Sequence, residues 1–499
     1  MDSITGALNA VGSEPLATGW MLTIAGALIM TSVLFSRPSE RIGFPAVLLF
    51  LGLGLAAGEL LALEFDDFSL AFRIGTVGLV LILFDGGLNT PWRTARAHLA
   101  PASALATLGV ILTAAIVAGF AYLLGLGWIE AMLIGAIVSS TDAAAVFSSL
   151  RGSNVQLRRR VGATLELESG LNDPMAVILT ITLTGMMLAP EAFSAPAALA
   201  GVGLQLLIGL LAGLAIGWCG QQLLTRIRVP AAGLYPALTL ALALLAFGLP
   251  SLFMGSGFLA VYVAALMLGN RRMPYRAGIL RVHDALAWLG QITMFLVLGL
   301  LAIPGLLAQA GINGILLGLA LALVARPLAV WICLLPFRYT ARETGFISWT
   351  GLRGAVPILL ASYPVMSNMP GALELFHLVF FVVVFNALIP GATIRWAVGL
   401  FRVERAGLPR PTPVLEINTT ENLPVRMLSF YLDPAAMVCG SRVDDLPLTD
   451  GCDILLLVRE GNILKVHDST ILEPGDHVHL LIPPEQARAM ELLFGLREE

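Results

Sequence analysis

The chain has 499 residues, 57% of them hydrophobic and 12% charged, with a formal net charge of −4 and a mean hydropathy of +0.86. Soluble proteins carry about 25% charged residues, so the composition excludes an ordinary soluble enzyme and implies a polytopic membrane protein. The net charge is too small to imply a nucleic-acid partner, and Cys219, Cys333, Cys439 and Cys452 have no spacing that suggests a metal site or disulfide framework.

Met1 to Gly12 carries no Lys or Arg, so no cleavable signal peptide is expected. Apolar stretches of about 20 residues, the bilayer-spanning length, recur from Ala17 to Phe401 and number about thirteen. The 51 glycines suit close helix packing in lipid. Every other inter-span segment is basic: Arg37 and Arg41; Arg93 and Arg96; Arg151 and Arg158 to Arg160; Arg226 and Arg228; Arg271, Arg272, Arg276 and Arg281; Arg338 and Arg342. The positive-inside rule makes these loops cytoplasmic, which puts the N-terminus outside and the C-terminus inside. Arg73 departs from the series.

The third span carries Asp85 in Leu83-Phe84-Asp85-Gly86-Gly87-Leu88, near its cytoplasmic end. Asp85 either draws cations into an inner funnel or is an ordinary helix-end charge. The fifth span contains Ser139-Ser140-Thr141-Asp142-Ala143. Four polar side chains in a row make a poor lipid-facing helix and a good break between two half-helices, where Asp142 would offset a positive helix end. The alternative is hydroxyl glue between helices with Asp142 as a cap, and in either case Asp142 is open to a structural role.

The sixth span holds Glu168 and Asp173 inside an apolar stretch from Val161 to Leu188. A carboxylate in hydrocarbon costs roughly 3 kcal/mol on insertion scales, so a chain that keeps two there uses them for a proton or a cation. Ser169 and Asp173 are four apart and share one helical face; Glu168 and Asn172 form a neighbouring pair. Pro174 cannot donate to the carbonyl of Gly170, so Asp173, the Ser169 hydroxyl and a freed carbonyl supply hard oxygen ligands for a dehydrated monovalent cation. The plainer alternative is a carboxylate held by helix–helix hydrogen bonds. Arg326 and Arg353 also lie within apolar spans and call for acidic partners, Glu168 and Asp142 being available; snorkelling to the interface is the alternative.

After Phe401 the composition changes. Residues 403–413 read as a linker, separating a membrane domain (1–402) from a cytoplasmic α+β domain (414–499). Asp453 to Arg459 and His477 to Ile482 are expected as strands, Glu460-Gly461-Asn462 and Glu473-Pro474-Gly475-Asp476 as turns, and Pro484 to Phe494 as a terminal helix.

Taken together, the blocks Leu83 to Leu88, Ser139 to Phe147, Val161 to Ala176, Ala325 to Leu328 and Gly351 to Pro357 resemble the monovalent cation:proton antiporter family, in its NhaP-type branch near the bacterial potassium/proton antiporters. The resemblance covers the whole membrane portion. It implies an all-α membrane domain of inverted repeats whose fifth and twelfth spans are broken and cross near the site, a homodimer, and a bacterial inner-membrane location. It further implies that Asp173 is occupied alternately by proton and cation, with Asn172, Ser169, Thr141 and Asp142 around it. An Asn-Asp pair at this point goes with electroneutral one-for-one exchange. Residues Ser441 to Ile482 resemble the TrkA-C/RCK-C-like regulatory domain of potassium-transport proteins. That similarity implies a small-molecule or nucleotide regulator and favours K⁺ over Na⁺.

The resulting expectation is a secondary antiporter with no cofactor beyond the transported K⁺ or Na⁺ and H⁺. A channel gated by the tail is the first rival, although no Thr-Val-Gly-Tyr-Gly-like filter is present. A non-transporting ion sensor is the second. A membrane enzyme is disfavoured, since no nucleophile–base pair or metal-ligand cluster stands out.

Overall fold

A computed structural model describes the chain except residues 1–15, 43–44, 62–64, 151–155, 193, 228, 272, 406–425, 435, 449–450, 460–461, 484–485, 496 and 499. The chain divides into a helical unit and a small C-terminal unit. Among the described residues, nine helices are long and apolar enough to cross a membrane, and four more apolar helices are shorter.

In chain order the helical unit contains α1 (Leu16–Ile42), α2 (Ala46–Leu61), α3 (Phe68–Asn89) and α4 (Trp92–Leu123). Two short helices follow, α5 (Trp128–Ile137) and α6 (Ala143–Leu150), then the long α7 (Arg159–Leu188) and α8 (Ala195–Arg226). Next come α9 (Leu234–Leu252), α10 (Gly257–Gly269), α11 (Arg276–Leu300) and α12 (Pro304–Phe337). A second short pair, α13 (Ala341–Trp349) and α14 (Ala355–Met366), leads to α15 (Ala372–Gly391) and α16 (Ile394–Phe401).

Local signals set the ends of these helices. The Asp67 carboxylate accepts from the Leu70 amide at the start of α3, and Thr340 with Glu343 forms a capping box at the start of α13. Small residues set the packing. Gly213 and Gly217 on α8 face α10 so closely that a Cβ at Gly213 would stand 2.7 Å from the Ala260 carbonyl, the close approach that small residues allow between helices in lipid. Two basic segments meet on one side of the unit: Arg160 donates to the Phe337 carbonyl at 2.7 Å and stacks 3.7 Å over the Tyr339 ring.

The loop before α7 forms strand β1 (Gln156–Leu157), paired antiparallel with β2 (Glu404–Arg405) just after α16. Val403, read as the start of a linker, is buried, and its carbonyl accepts from the Arg158 amide. Residues 406–413 of that expected linker, and the turn residues Glu460 and Gly461, lie outside the described residues.

The C-terminal unit is a five-stranded antiparallel sheet of β3 (Arg426–Tyr431), β4 (Asp453–Arg459), β5 (Asn462–Leu464), β6 (His477–Ile482) and β7 (Arg497–Glu498), in the order β5-β4-β6-β3-β7. Helix α17 (Ala487–Phe494) contributes Met490 and Phe494 to a core with Leu428, Phe430, Leu457, Val478, Leu480 and Ile482. The two strands expected from sequence have the expected bounds, and the Glu473–Asp476 turn places Gly475 at φ +96°. Arg459 grips the fully buried Asp476 with two hydrogen bonds of 2.8 and 2.9 Å, and a third reaches Glu473. Asp476 and its hydrogen bonds hold the Arg459 guanidinium above its ordinary value. Arg459→Met leaves that carboxylate without its cation and is expected to cost about 2–3 kcal/mol. Limited proteolysis of the full chain checks this, with faster cleavage in the tail as the expected result.

Candidate functional site

The polar run Ser139–Asp142 ends one helix and starts the next. Ser, Thr and Asp side chains compete with the helical ladder for backbone groups and favour caps. Accordingly α5 stops at Ile137 and α6 begins at Ala143, where the Asp142 carboxylate accepts from the Ala145 amide at 3.1 Å. A second break, Thr350–Gly354, separates α13 from α14. The two breaks touch: the Asp142 amide donates to the Leu352 carbonyl at 2.8 Å.

Glycines make the crossing possible. A Cβ on Gly354 would stand 2.8 Å from both Cβ and Cγ of Asp142, and one on Gly351 would stand 2.6 Å from Nε of Arg326. Gly354→Ala is therefore expected to pry the two breaks apart and cut exchange activity at least about tenfold, measured as cation-driven proton flux in membrane vesicles against matched expression.

Four half-helices place four dipole ends in a buried centre, and fixed charges answer them. The Asp142 carboxylate lies at the positive end of α6 and packs against Gly354, which caps α14. Arg353, 1% exposed, donates through Nη1 to the carbonyls of Ser139 (2.6 Å) and Ser140 (2.5 Å) beyond the negative end of α5. This corrects the expectation of an acidic partner for Arg353: its partners are backbone carbonyls freed by the helix break. Arg326 does pair with an acid. It meets Glu168 in a two-pronged contact of 2.5 and 2.9 Å, with the side chains 3% and 1% exposed. A π turn (Leu321–Ala325) immediately precedes Arg326. Such bulges re-aim side chains inside long helices.

Helix α7 runs unbroken through Pro174 and lays one face on the first break. Ser140 Oγ donates to Asp173 Oδ1 at 2.5 Å, and Asn172 Nδ2 donates to Thr141 Oγ1 at 2.6 Å. Ser169 Oγ donates to the Thr141 carbonyl at 3.0 Å and accepts from the Ala143 amide at 3.1 Å. The structure thus brings Asp173, Asn172, Ser169, Thr141 and Asp142 together, with Glu168–Arg326 and Arg353 bracing them. Asp85 is half-buried on α3 and accepts from Asn89 Nδ2 at 3.0 Å.

The hydroxyl of Ser169, the expected cation ligand beside Asp173, is held between the Thr141 carbonyl and the Ala143 amide, and the hydroxyl bonded to Asp173 is that of Ser140, which helical spacing within α7 does not single out. Thr90 and Glu166 also escaped notice, although their oxygens lie 2.6 Å apart. The overlooked signal was Glu166 standing seven residues before Asp173.

Asp173 is 5% exposed, and none of its hydrogen bonds comes from a basic group. The Asn172 Oδ1 oxygen is buried without a hydrogen-bond partner. Among the described residues no three His, Cys, Asp or Glu side chains cluster as a metal site. What the crossing offers is one carboxylate surrounded by hydroxyl, amide and carbonyl oxygens. These are hard ligands suited to a small monovalent cation, which in this setting is cargo.

A model of the transmembrane sodium/hydrogen exchanger family matches residues 25–399, and a TrkA-C domain model matches residues 427–495. The chain is 40% identical over 481 residues to the K(+)/H(+) antiporter NhaP2 of Shewanella sp. (strain ANA-3), covering 95% of this chain and 83% of that one. It is 37% identical over 464 residues to the K(+)/H(+) antiporter NhaP of Alkalimonas amylolytica, covering 92% and 80%. Its fold is similar to the structure of the sodium proton antiporter MjNhaP1 from Methanocaldococcus jannaschii at pH 8, with a TM-score of 0.64 and 24% identity over 77% of this chain and 98% of that one. The chain belongs to the sodium/hydrogen exchanger family of multi-pass membrane antiporters and carries a C-terminal TrkA-C domain.

Proposed function

We propose that this protein exchanges K⁺, in preference to Na⁺, for H⁺ across a bacterial inner membrane, one for one and without net charge movement. The carrying observation is the charge balance of the crossing. Glu168 is matched by Arg326, Asp142 by helix ends and an amide, and Arg353 by two carbonyls, which leaves Asp173 without a fixed countercharge. A buried carboxylate in that position persists only when neutralised. A proton or a monovalent cation does so equally well in charge and excludes the other. If only the neutralised site reorients between the two sides of the membrane, each turnover moves one cation against one proton.

The preference for K⁺ is supported by the names of the antiporters that align along nearly the whole chain. The alternating arginine loops support an N-terminus outside and a C-terminus in the cytoplasm. We further propose a homodimer, and a small molecule or nucleotide as the ligand through which the TrkA-C domain regulates exchange.

Proteoliposomes with an internal pH dye test the proposal. KCl added against a pH gradient should give proton flux that persists when valinomycin clamps the potential, with a weaker response to NaCl. Flux abolished by the clamp would contradict electroneutral exchange, and a stronger response to NaCl would contradict the K⁺ preference.

A further inference from the structure

Glu166 is a half-buried carboxylate that the account above does not use. It precedes Asp173 by seven residues on α7, so it lies about 10 Å nearer the arginine-bearing end and within about 20° of the same helical face. Along that face Gly162, Ala163, Glu166 and Ser169 are half-buried, while Gly170 and Asp173 are buried. Exposure on this face therefore reaches Glu166 and ends before Asp173.

The groups around Glu166 are set to hold a proton or a cation. Thr90 Oγ1 lies 2.6 Å from Glu166 Oε1 and 2.8 Å from the Gly86 carbonyl. A hydroxyl has one hydrogen. When that hydrogen closes the turn to Gly86, the contact with Glu166 requires a proton on the carboxyl; when Glu166 is ionised, Thr90 turns its hydrogen to it. Tyr262, 3% exposed, has its hydroxyl buried beside Thr90 without closing a hydrogen bond of its own. Gly170 lets that ring approach, since a Cβ there would stand 2.6 Å from Tyr262 Cε2. Helices α3 and α10 end here and α4 begins here, joined by Asn270, whose Nδ2 donates to the Thr90 carbonyl at 2.8 Å and whose Oδ1 accepts from the Trp92 amide at 2.6 Å; Asp85 lies one turn back on α3.

We propose that Glu166, with the Thr90 and Tyr262 oxygens, is an antechamber site that releases its proton to water as it takes up a monovalent cation, and passes that cation to Asp173. The inference rests on the antiport reading and adds a loading residue to it. Ionised Glu166 raises the local cation concentration at the mouth of a narrow site, so its loss acts on apparent affinity more than on turnover.

The test is cation-dependent proton flux in everted membrane vesicles carrying the full chain, titrated with KCl. Glu166→Gln should raise the half-saturating K⁺ concentration about fivefold or more with the maximal rate kept within about twofold, and Glu166→Asp should restore most of the affinity. Unchanged half-saturation in an active Glu166→Gln variant overturns the antechamber. So does a collapse of the maximal rate at unchanged half-saturation that Glu166→Asp fails to relieve. If Glu166→Gln does not reach the membrane, Thr90→Val and Tyr262→Phe decide: a rise in half-saturation in either supports the site, and no rise in both overturns it. A wild-type protein without any exchange would instead defeat the antiport reading, and this inference with it.

Discussion

Asp173→Asn is expected to reduce cation/proton exchange to the level of empty liposomes while the protein remains folded and inserted. The amide is nearly isosteric and still accepts the Ser140 hydrogen bond, so the crossing keeps its shape. What disappears is the single charge that a proton and a cation contest. Stability should not fall, because the substitution removes a buried carboxylate that lacks a fixed basic partner. Thermal unfolding in detergent checks this half of the prediction, and a variant melting no lower than wild type is the expected result. In the wild type the same competition makes affinity depend on pH. Where protons outcompete the cation, each unit fall in pH should raise the half-saturating cation concentration by up to about tenfold. Flux titrations at two pH values read this directly.

Arg326→Met is expected to have the largest effect on stability. Glu168 and Arg326 are both nearly inaccessible and meet in a two-pronged contact. Removing one partner of such a pair strands the other charge and costs roughly 3–5 kcal/mol, whereas replacing both by apolar residues is often neutral or better. Arg326→Met alone should therefore sharply lower the amount of folded protein in the membrane, and Glu168→Leu should do the same. The double variant Glu168→Leu/Arg326→Met should recover most of it. Fluorescence-detected size exclusion of membrane extracts measures all three, and an Arg326→Met single variant as abundant and stable as wild type would contradict that cost. The double variant should nonetheless exchange poorly. The Arg326 side chain packs on Gly351 in the second break, and through Glu168 it ties α12 to α7, so its loss loosens the crossing around Asp173.

The main features of the site were readable because membrane burial makes charges conspicuous. Glu168, Asp173, Arg326 and Arg353 stand out in apolar spans, and four consecutive polar residues mark the first break. The strands Asp453–Arg459 and His477–Ile482 were equally plain, being apolar runs bounded by turn residues. What sequence did not give was pairing by backbone. Arg353 finds carbonyls that exist as free acceptors only because α5 has ended, and no side-chain pattern announces them. Likewise the choice of Ser140 over Ser169 as the hydroxyl on Asp173 depends on how a broken strand of chain lies across α7, whereas helical spacing speaks only for residues on the same helix. Gly351 and Gly354 are two among 51 glycines until the crossing shows what a side chain would strike. Strands β5 and β7 escaped because three and two residues are too short to show a period.

The central claim is that one carboxylate is held in turn by a proton and a cation. It is tested most directly by proton release from purified protein in weakly buffered detergent solution when K⁺ is added at a pH where Asp173 starts protonated. One proton released through Asp173 per cation bound at the crossing, lost together with that binding in Asp173→Asn, is the predicted result. Saturable K⁺ binding without proton release, or release of undiminished size from Asp173→Asn, would contradict it.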